Sequence, residues 1–133
     1  MNSVTTIVKV ILLGLLAVGL YGAASVSYST ITGTTPCPTV GFVPACFVVF
    51  TGYLFMLIAT VIMHQRRLHW LFLVGWVPVF LLAFVGSVFE ISSGATCPKS
   101  NSGLALCYVS LSFAVVVAGL YFFLIKSRQV KND

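Results

Sequence analysis

Four cysteines, Cys37, Cys46, Cys97 and Cys107, are the residues of this chain best equipped for chemistry. A pair of thiols can close a disulfide, exchange electrons with a partner thiol, or hold a metal through its thiolates. Spacing separates these uses. Eight residues lie between Cys37 and Cys46 and nine between Cys97 and Cys107, whereas cysteine pairs in zinc sites are usually about two to four residues apart. No metal site is expected. Four cysteines permit three pairings. The local pairs would each close a loop of about ten residues, restraining the unfolded chain by roughly 2.5–3 kcal/mol in the loop-entropy model.

Little else in the sequence can move protons or bind phosphate. Glu90 and Asp133 are the only acidic residues, so neither a Ser-His-Asp arrangement within the apolar segments nor a carboxylate pair can be assembled. No phosphate-binding glycine loop follows a strand. His64 and His69 flank Arg66 and Arg67 in a basic turn and read as solvated anchors. Glu90 reads as interfacial, within reach of water or of Lys99.

The elements that must position these residues follow from composition. Of 133 residues, 59% are hydrophobic and 7% charged, and the mean hydropathy is +1.11. A soluble domain carries about a quarter of its residues charged, so an integral membrane protein is expected. Apolar stretches at about 8–28, 46–63, 71–89 and 104–125 each approach the roughly 20 residues that cross about 30 Å of hydrocarbon. Unpaired backbone groups are costly in lipid, and no strand-like alternation points to a barrel, so four transmembrane helices are predicted. Pro78 should kink the third. Trp70 suits the interfacial aromatic belt, and Trp76 suits packing.

The net charge of +5 has no nucleic-acid pattern. Six of the seven basic residues (Lys9, Arg66, Arg67, Lys126, Arg128 and Lys131) fall at the N-terminus, in the 64–69 turn or in the tail, and only Lys99 falls elsewhere. The positive-inside bias puts both termini in the cytoplasm of a plasma or bacterial inner membrane. The cysteine loops then face the oxidising side, where disulfides persist.

The first segment also has the look of a signal peptide, with Lys9, an apolar run and small residues. It is read as a retained helix because it has a counterpart later in the chain. A shift of sixty residues aligns Ala23 with Ala83, Ser27 with Ser87, Cys37 with Cys97 and Pro38 with Pro98. After one inserted residue, Cys46, Phe47 and Val48 align with Cys107, Tyr108 and Val109. One domain, 1–133, is therefore read as a tandem repeat of two-helix units, about 7–63 and about 68–126, with a basic tail at 126–133. The repeat favours pairing Cys37 with Cys46 and Cys97 with Cys107 as structural disulfides. Small residues at every fourth position, Gly19, Ala23 and Ser27, then Ala114 and Ala118, read as helix contacts.

Four helices, cytoplasmic ends and a cysteine pair in each outer loop resemble the DsbB and vitamin K epoxide reductase families. The Cys37-x8-Cys46 spacing leading straight into a helix resembles the shuttle pair of the latter. The resemblance implies a quinone-linked thiol–disulfide oxidoreductase in which Cys37 and Cys46 exchange with a thioredoxin-like partner. Cys97 and Cys107 would then relay electrons onward. The families' Cys-x-x-Cys motif is absent, so no position inherits the quinone-facing role. The leading expectation is therefore non-enzymatic: an all-α accessory or assembly subunit, without cofactor, packed in the bilayer against other membrane subunits or itself.

Overall fold

The computed structural model describes residues 3–34, 37–62, 67–94, 99 and 102–132. Four helices dominate these: α1 (Ser3–Ile31), α2 (Ala45–Val61), α3 (Leu68–Ser93) and α4 (Leu106–Asn132). Between α1 and α2 sits a small antiparallel hairpin, β1 (Thr39–Val40) and β2 (Val43–Pro44). Three helices, α1, α3 and α4, are long and apolar enough to cross a membrane.

The helices differ from the predicted segments in an instructive way. α1, α3 and α4, of 29, 26 and 27 residues, run past the apolar stretches at both or one of their ends. Hydropathy marks where lipid-compatible residues stop, whereas a helix goes on through polar residues that still satisfy their backbone bonds. α2, of 17 residues, begins one residue before its predicted stretch and ends two residues sooner. Pro44 holds extended backbone immediately before it, and at its other end Ile62 leaves helical geometry while its N–H still bonds Ile58 O at 3.0 Å. At 1.5 Å per residue α2 measures about 25 Å, less than the roughly 30 Å of hydrocarbon. α3 continues as helix through Pro78.

Contacts between helices make a closed ring in the order α1, α2, α3, α4 and back to α1. Each helix gives its inward stripe to one core: Leu12 and Leu16, then Tyr53, Met56 and Ala59, then Phe72 and Val79, then Val117, Tyr121 and Leu124. Steps of three, four or seven residues put each set on one face of its helix. Gly52 of α2 and Gly75 of α3 meet backbone to backbone, and Gly19 receives the ring of Tyr53. Of the small residues singled out by spacing, Ser27 and Ala114 are buried.

Trp76 packs as expected. Its indole N–H donates to the Ala114 carbonyl at 2.9 Å and its ring stacks on Phe80 at 4.7 Å. Trp70 is exposed. Trp76→Phe retains a ring and deletes the hydrogen bond, so unfolding in detergent should become easier by about 0.5–1.5 kcal/mol. Trp70→Phe should leave it nearly unchanged. Equal stability of the two variants would mean that the indole N–H contributes nothing across the α3–α4 contact.

Candidate functional site

The connection from α1 to α2 is built in four steps. Thr34 N–H bonds Ser29 O at 3.0 Å and Gly33, at φ 74°, turns the chain off the end of α1. Val40 then pairs with Val43 and Thr39 with Pro44, leaving Gly41 and Phe42 as a two-residue turn. Gly41 has φ 69° and Phe42 is not in the positive-φ region, the pattern of a hairpin turn with glycine first. Finally the Ala45 N–H bonds Pro38 O at 3.0 Å, and a disulfide joins Cys37 to Cys46 with their Cα atoms 6.4 Å apart.

The two sulfurs are unequally placed. Cys46 lies in the first turn of α2 and is buried, whereas Cys37 is half-buried. The Thr30 hydroxyl donates to Val26 O at 2.9 Å and lies 4.0 Å from Cys46 Sγ. Thiol–disulfide exchange needs a thiolate to reach a sulfur, so Cys37 is the approachable member of the pair.

The second cysteine pair is described at one end. Cys107, half-buried in the first turn of α4, is disulfide-bonded; Cys97 lies outside the described residues. Lys99 and Ala105 form an isolated antiparallel bridge just before α4.

Two expectations are corrected here. Glu90 was expected at the interface, within reach of water or of Lys99; only 9% of it is exposed, which corrects its contact with water, and it is partnered. Its position on the inward stripe of α3, three residues beyond buried Ser87, accounts for this. Polar neighbours in sequence, Ser92 and Ser93, misled because they lie in the exposed last turn of α3, one turn beyond the buried stripe. His69 was expected to be a solvated anchor. It is half-buried, with Nδ1 2.9 Å from the Tyr121 hydroxyl, and Tyr121 stacks on Phe72 at 3.6 Å. His64 and Arg66 lie outside the described residues.

Sequence reading also missed that two of the aligned hydroxyl side chains are buried. Ser27 and Ser87 are both buried. Ser87 Oγ donates to Ala83 O at 2.7 Å, whereas Ser27 Oγ has no partner among the described residues. The serine alignment was the available signal; nothing in it separated packing from polar burial. Among the described residues no group of three His, Cys, Asp or Glu side chains could hold a metal ion.

Comparison with protein-family models, curated proteins and solved structures gives no match.

Proposed function

We propose that this chain is a four-pass membrane subunit that works by contact, as an accessory or assembly component, with its cysteine loops on the extracytoplasmic side. The interior carries the reading. The hydrophobic core draws on all four helices with hydrocarbon, thioether and phenol side chains, and among the described residues the only charged side chain buried beside it is Glu90. Large apolar side chains also cover the exterior, among them Val10 and Val18 of α1, Leu81 and Phe84 of α3, and Phe122 of α4. Such a surface suits lipid or neighbouring helices.

The tandem repeat belongs to this reading. Leu12 and Ser27 are buried, as are Phe72 and Ser87 sixty residues on. Tyr53, Met56 and Thr60 match Ala114, Val117 and Tyr121 after the inserted residue, and all six are buried. The Thr39–Pro44 pair likewise has its counterpart in the Lys99–Ala105 bridge.

A second reading, the quinone-linked oxidoreductase, has one observation in its favour, the Thr30 hydroxyl beside Cys46. A partner thiolate attacking Cys37 Sγ would form a mixed disulfide and break the Cys37–Cys46 bond. The electron pair would stay on Cys46 as a thiolate that Thr30 could solvate. A second thiol of that partner would then break the mixed disulfide, leaving the partner oxidised and Cys37 and Cys46 as two thiols, whose reoxidation would send two electrons and two protons to a quinone.

Thiol trapping in native membranes separates the readings. A contact subunit keeps all its cysteines blocked under mild reductant until it is denatured, and runs in mild detergent in an assembly well above its own 14.3 kDa. A pair that opens under mild reductant and closes on adding quinone would overturn it, as would a lone monomer.

A further inference from the structure

We infer that the Cys37–Cys46 hairpin is a lipid anchor that completes the crossing begun by α2, seating Phe42 in the hydrocarbon edge of the bilayer. This rests on the membrane-spanning reading. Three independent features point to lipid as the occupant. First, α2 is too short. Its 17 residues cover about 25 Å of the roughly 30 Å required. Two extended residues, Val43 and Pro44, add about 7 Å ahead of its first turn.

Second, the hairpin is made to enter an apolar medium. No Lys, Arg, Asp or Glu occurs between Lys9 and Arg66. The ladder pairs Thr39 with Pro44 and Val40 with Val43, which partners backbone groups of the two strands internally. Phe42 at its tip is 105% exposed, the most exposed large apolar side chain described.

Third, the tip is held in place beforehand. The disulfide, the Gly41 turn and the Ala45–Pro38 hydrogen bond fix Phe42 on the outside of the bundle, so little conformational entropy remains to be lost on insertion. The surface behind it is continuous with α2. A groove of about 250 Å³ runs from Val43 past Phe47, Thr51 and Phe55 to Val74 and Pro78. Its one hydroxyl, on Thr51, is already bonded to Phe47 O at 2.9 Å. Such a groove fits an acyl chain.

The test uses the full chain with its disulfides intact. It is reconstituted into phosphatidylcholine–phosphatidylglycerol vesicles containing a phospholipid with a diazirine on its acyl chain. Irradiation is followed by digestion and mass spectrometry, and the same probe is loaded into native membranes. Label is expected on Phe42 or Val43 in both settings, together with label on outward residues such as Val18 and Phe84. Phe42→Asp should lose the label at the tip, and Phe42→Leu should keep it. Label on Val18 and Phe84 but none at 42–43 overturns the anchor and leaves the spanning reading intact. No label on α1 or α3 overturns the spanning reading itself. Label at Phe42 in vesicles but not in native membranes assigns the tip to a protein partner, which also overturns the anchor.

Discussion

Gly75→Ala should destabilise the folded bundle by about 1–3 kcal/mol, and Gly75→Leu should abolish folded protein altogether. A Cβ on Gly75 would lie 2.6 Å from the Gly52 carbonyl oxygen, 3.0 Å from Phe55 Cβ and 3.3 Å from the Met56 nitrogen. Two of these neighbours are backbone, which cannot rotate away, so the helices themselves must part. Overpacking on this scale typically costs about 1–3 kcal/mol. The clash is mutual, because a Cβ on Gly52 meets the Gly75 oxygen at 2.7 Å. Gly52→Ala should therefore cost at least as much as Gly75→Ala, because its Cβ also meets Val79 Cγ2, and the double variant should cost much less than the sum, since one separation relieves both. Gly14 and Gly119 are the controls. An added Cβ there meets nothing within 4 Å, so alanine should be neutral or stabilise by up to about 1 kcal/mol through helix propensity. Reversible unfolding in mixed micelles gives all five values. If Gly75→Ala and Gly119→Ala behaved alike, the close α2–α3 approach would be wrong.

Loss of the Cys37–Cys46 disulfide should be the other large effect. The bond joins residues nine apart, and in the loop-entropy model its removal costs roughly 2.5–3 kcal/mol. Cys37→Ser and Cys46→Ser should not be equal, however. Cys46 is buried, with a hydroxyl donor 4.0 Å from its sulfur, while Cys37 is half-buried. Serine at 46 would put a polar group into a packed site, whereas serine at 37 can reach water. Cys46→Ser should therefore be the more damaging by about 1 kcal/mol. Micelle unfolding of both variants, beside the double Cys37→Ser/Cys46→Ser chain, checks this. Identical single variants would show that burial of Cys46 carries no weight.

Much of the architecture was legible because its causes are one-dimensional. Helix number follows from apolar runs, and the Cys37–Cys46 pair from the repeat that brackets it. What escaped notice depends on which side of a helix a residue faces. Gly52 and Gly75 lie within apolar runs that hide their closeness, since neither belongs to a small-residue pattern with a four-residue period. Glu90 was judged by the serines that follow it, although its companions on the helix surface are Ala83 and Ser87. His69 was judged by Arg66 and Arg67, although Tyr121, fifty-two residues away, is its partner. The shortness of α2 lies at its far end, where Ile62 leaves helical geometry although the apolar run continues to Met63.

The ring of helices has a consequence for how the chain can be cut and rejoined. Contacts of His69 with Tyr121, Trp76 with Ala114, and Gly19 with Tyr53 and Phe113 make successive helices antiparallel. The start of α1 and the finish of α4 therefore lie at one end of neighbouring helices, the same end as the link between α2 and α3. A polar linker joining residue 132 to residue 3, with new ends opened between 62 and 67, would preserve every helix–helix contact and both cysteine loops. Such a circular permutant would exchange the order of the two helical hairpins during synthesis while leaving the finished bundle the same.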